Sequence, residues 1–253
     1  MKYIFLFILM TATIHMTAQL KPVVYADGNL KLTGQAIKPA HGHKQKGGIL
    51  ILPAWMGIDA HAKNTATRLS ELGYYAFIAD IYGENNYPHN TQEASQLVGY
   101  YKKNYQVYQT RIKLALDELI KSGANPAKIV VIGYCFGGTG ALEAARANMP
   151  VQGVVSFHGG LGKDTTRPAV KINAHVLACH GADDPYEPVA GVLAFQQEMK
   201  TAAADWQFIS YANAVHSFTD PASGNNPASG AAYNKLAANR SWQHMLDFLK
   251  EIL

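Results

Sequence analysis

The chain is poor in the residues that would place it in a special structural class. It has only two cysteines in 253 residues, Cys135 and Cys179, which excludes a disulfide-stapled scaffold. Charged residues make up 16%, and the formal net charge of +4 is spread along the chain without a basic cluster. That distribution gives no footing for a nucleic-acid partner. No internal repeat and no interdomain linker divides the sequence. The opening apolar run, residues 4–10, falls well short of the ~20 residues that a membrane-spanning helix needs.

Lys2 precedes that run, and small and polar residues follow it up to Thr17-Ala18-Gln19. The pattern is that of a secretory signal peptide over residues 1–18, cleaved after Ala18, with an uncleaved anchor as the alternative. A periplasmic or secreted protein is therefore expected, with no membrane span after cleavage. Residues 19–253 then form a single domain, since 48% apolar composition is ample for one core. In an oxidising compartment Cys135 and Cys179 could pair. They fall at the ends of strands not expected to be neighbours, so both are expected free. His41 and His43 lie in a polar loop over 39–46 and read as exposed loop residues. No metal site is expected.

What the chain does contain is concentrated in residues 128–141. The β-branched run 129–132 is the pattern of a strand buried on both faces. Gly133-Tyr134-Cys135-Phe136-Gly137 follows it with the spacing G-x-nucleophile-x-G, sulfur standing where serine oxygen usually does. The chain must reverse sharply from strand to helix there, and a β-carbon at either glycine would strike neighbouring backbone. A helix is expected over 138–148, with Cys135 at its positive end.

The rest of the chain alternates strand and helix. A hairpin with an Asp27-Gly28 turn comes first, its second strand (30–38) read as a sheet edge. Strands are expected at 48–52, 75–79, 151–157, 175–179 and 206–211. Helices are expected at 59–72, 92–102, 106–121, 189–203 and 231–253, the last docking through Leu236, Trp242, Leu246 and Leu249. This order predicts an α/β fold: a mostly parallel sheet with an N-terminal antiparallel hairpin and helices on both faces. In such sheets, functional residues gather at the carboxyl ends of strands.

That rule selects Cys135, Asp184 and His216, in the chain order nucleophile, acid, histidine. A cysteine can attack a carbonyl carbon, a histidine can carry the proton, and a carboxylate can hold the imidazole's tautomer. Asp183 competes with Asp184; the third position after Gly181 favours Asp184. The oxyanion formed on attack needs two amide donors, expected from Phe136 N–H and Trp55 N–H. Tyr82, Tyr134 and His158, near strand ends, are the expected pocket lining, and His180 lies near a strand end as well.

Gly-Tyr-Cys-Phe-Gly-Gly, His-Gly-Ala-Asp-Asp-Pro and His-Ser-Phe together resemble the dienelactone hydrolase (carboxymethylenebutenolidase) family, over roughly residues 22–252. The resemblance implies an α/β-hydrolase fold, no cofactor, and cleavage of a small ester or lactone through Cys135, His216 and Asp184. Two departures narrow it. Ala54 holds the position from which a glutamate contacts the resting cysteine in the best-known members. Those members bind a substrate carboxylate with arginines, one of them following the His-Ser-Phe motif, where this chain has Thr219 and Asp220. The loop after Tyr82 offers Glu84, Asn85, Asn86 and His89 and no arginine. Dienelactone itself is thus not the expected substrate. A thioesterase or acylated-sugar deacetylase on the same residues is the first alternative, and a non-catalytic binding protein on this fold the second.

Overall fold

The computed structural model describes residues 19–40 and 45–253, so the expected signal peptide and both His41 and His43 lie outside the described residues. Eight strands form one sheet in the order β1-β2-β4-β3-β5-β6-β7-β8. The strands are β1 (Lys21–Asp27), β2 (Leu30–Ile37), β3 (Gly47–Leu52), β4 (Tyr74–Ile78), β5 (Ile129–Tyr134), β6 (Gly153–Phe157), β7 (His175–Gly181) and β8 (Trp206–Tyr211). The first two pairings are antiparallel and every pairing from β4 onward is parallel. The predicted layout of a parallel sheet fed by an N-terminal hairpin is therefore what forms.

Period-2 alternation along the strands divides the core. Leu50 and Leu52 of β3, with Val131 of β5, face α3 (Tyr105–Lys121), α4 (Phe136–Arg146) and α5 (Val189–Thr201). Ile49, Ile51, Val130 and Ile132, one residue out of phase, face α1 (Ala60–Glu71) and α6 (Lys235–Ile252). Both faces of the central strands are covered, which is why they read as continuous apolar runs. The remaining helix, α2 (Thr91–Lys103), precedes α3 in the chain. Because β3 and β5 to β8 run parallel, the loops after each emerge at one edge.

Four local expectations are corrected. In the hairpin Asp27 pairs with Leu30, so the turn is Gly28-Asn29, one residue later than expected. Gly28 has φ +57°, a conformation without penalty only for glycine. The strand read as a sheet edge, β2, lies between β1 and β4, and β1 is the edge. Helix α4 starts at Phe136, two residues earlier than expected, and ends at Arg146, two residues sooner. Glycine's poor helix propensity is overridden there, because close packing around the turn demands glycines. Finally, α6 begins only at Lys235, where the Asn234 side chain accepts the Ala237 N–H as N-cap. Its buried face is Ala237, Ser241, Met245, Phe248 and Leu249, while Leu236 is 58% exposed.

Candidate active site

Cys135 sits between β5 and α4 with φ +53° and ψ −116°, a strained conformation for a residue with a β-carbon. The flanking glycines make the turn possible. A β-carbon on Gly133 would lie 1.9 Å from Gly137 O, and one on Gly137 would lie 2.0 Å from Leu52 O. The strain is held by the sheet itself, with Cys135 N–H donating to Phe157 O at 3.0 Å. Cys179 lies on β7, separated from β5 by β6, and both cysteines are free.

His216 and Asp184 reach the same point from the loops after β8 and β7. His216 Nε2 is 3.1 Å from Cys135 Sγ, and His216 Nδ1 is 2.8 Å from Asp184 Oδ2. The imidazole is fixed by its own backbone, His216 N–H donating to Gly230 O and Ala232 N–H to His216 O. Asp184 is buried, and its other oxygen accepts the Tyr186 N–H at 2.9 Å. Asp183 is exposed and makes no side-chain contact with His216. Burial works against charge on His216. The hydrogen bonds to Asp184 and Cys135, and the charges of both, outweigh it and raise its pKa from 6.5 to about 10.

A second histidine closes the rear of the turn. Cys135 N–H also donates to His158 Nδ1 at 3.1 Å. An accepting Nδ1 leaves the proton on Nε2, which donates to Thr219 Oγ1 at 2.8 Å. The Thr219 hydroxyl is then free to donate to His61 Nε2 at 3.3 Å. His158 is buried, with φ +40°. Burial first, and then the fields of His216 and His61, push its pKa well below the ordinary value, so it stays neutral.

A cavity of about 340 Å³ opens over Cys135, bounded by Trp55, Val98, Phe136, Lys102, Thr139 and Glu187 among others. This size is at the lower end of small-molecule sites, roughly 300–1,000 Å³. The N–H groups of Phe136 and Trp55 find no acceptor among the described residues, and both residues line the cavity. The Trp55 carbonyl accepts from the Tyr82 hydroxyl at 2.7 Å, which fixes the Trp55–Met56 peptide next to that donor.

The expected lining of Tyr82, Tyr134 and His158 is corrected, since none of the three borders this cavity. Tyr82 is buried and stacked against Phe136. Tyr134 points to the α1 side, stacked on Phe157 with its hydroxyl near Thr65. His158 supports the turn from behind. His180 is buried against Phe208 and does not reach the cavity either. The residues missed include Ser95, Val98, Lys102, Thr139, Tyr186 and Glu187. Thr139 carried a signal, being one helical turn beyond Cys135, and Tyr186 and Glu187 follow the acid turn. Lys102, at the end of α2, carried none.

A model described as the dienelactone hydrolase family matches residues 32–253. A Yersinia pestis protein named as a candidate carboxymethylenebutenolidase is 24% identical over 215 residues, covering 80% of this chain and 77% of that protein. Among solved structures, a dienelactone hydrolase-like promiscuous phosphotriesterase from metagenomic libraries superposes with a TM-score of 0.87 at 34% identity. The match covers 93% of this chain and 99% of that one. A candidate dienelactone hydrolase from Klebsiella pneumoniae, at 21% identity and TM-score 0.74, shares the fold, with 92% of this chain and 98% of that chain covered.

Proposed function

This chain belongs to the dienelactone hydrolase family of carboxylic ester hydrolases, and from that premise we propose that it cleaves a small ester or lactone by covalent catalysis at Cys135. The observation that carries the reading is the continuous contact from Cys135 Sγ to His216 to Asp184, at 3.1 Å and 2.8 Å. Ala54 offers no carboxylate to engage the sulfur, so His216 is its polar partner at rest. With both ring nitrogens protonated, His216 donates to Asp184 on one side and to the sulfur on the other.

In the first step Sγ attacks the acyl carbon, and His216 Nε2–H passes its proton to the departing alkoxide, leaving a thioester. In the second, neutral His216 takes a proton from water, and the resulting hydroxide attacks the thioester. The carboxylic acid product leaves, and the sulfur regains its protonated partner. Asp184 keeps Nδ1–H directed toward itself and stabilises the imidazolium without being protonated. The tetrahedral oxyanion of each step is received by the Phe136 and Trp55 N–H groups, each worth about 3–4 kcal/mol of barrier. The positive end of α4 adds to that field. We place the enzyme in the periplasm or outside the cell, on the strength of the leader pattern in residues 1–18.

Cys135→Ala tests the reading. Turnover of short acyl esters should disappear, and mass spectrometry of the wild-type chain with a slow ester should find the acyl mass on Cys135. Turnover by Cys135→Ala at the wild-type rate would end the proposal.

A further inference from the structure

Beside the cavity over Cys135 lies a second one of about 300 Å³, and the two share Lys102, Thr139, Gly160 and Glu187 as a common wall. Three polar atoms converge at that wall on bare backbone. Lys102 Nζ and Thr139 Oγ1 are each 3.1 Å from the point where a β-carbon on Gly160 would sit, and Glu187 Oε2 is 3.8 Å from it. Thr139 is 5% exposed, and its Oγ1 has no partner among the described residues. An unpaired buried hydroxyl is costly unless something arrives to meet it. Glu187 holds the Leu161 N–H through Oε2 at 2.9 Å, and Lys102 acts on it through charge without a hydrogen bond. Both cavities border all four residues, so a ligand reaching from one into the other meets donor and acceptor together.

We propose that this seam receives a hydroxyl of the substrate, so that the ester cleaved here is that of a polyhydroxylated, sugar-like alcohol. The short acyl group lies over Cys135, and the alcohol reaches past Gly160 into the second cavity. This rests on the hydrolase reading above. The chemistry of the second cavity favours a neutral polyol over other ligands. Its wall alternates in sign, with Arg167 paired to Glu143 at 2.9 Å and lying 3.7 Å over the Tyr105 ring. A carboxylate would face Glu187 and Glu143. An ammonium would face Lys102 and Arg167. An alkyl chain would leave the Thr139 hydroxyl without a partner and would desolvate both charges of the seam. Hydroxyls donate and accept at once, and so match lysine, threonine and glutamate together.

The test compares O-acetyl glucose with cyclohexyl acetate, two acetates of six-membered-ring alcohols that differ in hydroxyls. The full chain should favour the sugar ester by about tenfold in kcat/KM. Lys102→Met, Thr139→Val and Gly160→Ala should each reduce that ratio about fivefold or more, chiefly through KM for the sugar ester. Gly160 has no positive φ, so alanine fits its backbone and fills the seam. Matched thermal melts show that each variant is folded. A ratio near one in the wild type, or one that none of the folded variants moves, overturns the proposal while leaving the hydrolase reading intact. Calorimetric titration of glucose into Cys135→Ala reads the seam without turnover. Binding that Lys102→Met weakens supports the seam even where no ester is cleaved, in which case the hydrolase reading falls alone. Neither cleavage nor binding overturns both.

Discussion

Cys135 is held between two histidines of opposite character. In front, His216 contacts the sulfur and a buried carboxylate. Behind, His158 contacts the backbone N–H of the same residue and a threonine hydroxyl. Their rings are 5.3 Å apart, and both are largely removed from water. Yet one is raised to a pKa of about 10 and the other is pushed well below 6.5. Burial disfavours charge on both, so burial does not explain the difference. The partner does: a carboxylate accepts only, and so holds a proton on the ring facing it. An amide donor and a hydroxyl demand one acceptor and one donor, the neutral ring. Proximity to the proposed nucleophile therefore does not by itself fit a histidine to carry its proton. On the proposed mechanism the two regions divide the work, with chemistry in front and the geometry of the turn behind.

The sharpest way to break this comparison is Asp184→Asn, which gives the front histidine a neutral partner like the one behind. An amide that donates to Nδ1 holds the wrong tautomer, and kcat/KM should fall about 10²–10⁴-fold. The pH profile separates the causes. In the wild type, acylation should decline as pH rises through about 10, where His216 loses the proton it must give to the leaving group. In the variant the decline should begin at lower pH, because the carboxylate that raised the pKa is gone. A variant with wild-type rate and an unmoved alkaline limb would show that the front region does not depend on its carboxylate.

His158→Asn addresses the rear region and should act on stability. Asparagine tolerates positive φ and offers an acceptor to Cys135 N–H, but it cannot span to Thr219. A loss of about 1–3 kcal/mol is expected from denaturant unfolding. The two histidines also carry opposite pH signatures. The folded pKa of His216 is raised, so its contribution is complete below about 6.5 and is lost as pH rises toward 10. The folded pKa of His158 is depressed, so its contribution is complete above about 6.5 and is lost as pH falls below that. Unfolding measured across this range should show His158→Asn flattening the acid side alone. Flattening of the alkaline side instead would mean that the two roles are exchanged.

Much of the front region was legible in the sequence, and little of the rear. Gly133, Cys135 and Gly137 announce a turn whose sterics admit no alternative, and chain order alone orders Asp184 and His216 behind them. The choice of Asp184 over Asp183 followed from counting past Gly181. The rear chain joins His158, Thr219 and His61 across separations of 61 and 158 residues, and no local pattern encodes such a meeting. In the sequence Thr219 stands out only as the absence of an arginine. Tyr134 does not line the cavity as expected, because nearness to the sulfur in sequence says nothing of side: strand alternation sends it to the α1 face. Lys102 carries no signal in the sequence, since a lysine ending an amphipathic helix is ordinary, and only the packing of α2 beside Gly160 makes it part of a wall.

Thr219→Val is the smallest perturbation and the one that most refines the contrast. It keeps the shape of the side chain and removes the oxygen that accepts from His158 and donates to His61. His158 Nε2–H is left buried without a partner, so stability should fall by about 1–2 kcal/mol. Cys135 N–H retains both Phe157 O and His158 Nδ1. If the rear chain only positions the turn, kcat/KM should change by no more than about tenfold, less than one general acid–base contact is worth. The alkaline limb near 10 should also stay in place, because Thr219 touches neither His216 nor Asp184. A loss as deep as that of Asp184→Asn, together with a shifted limb, would mean that protons leave the site through His158, Thr219 and His61. The division between a chemical front and a structural rear would then have to be abandoned.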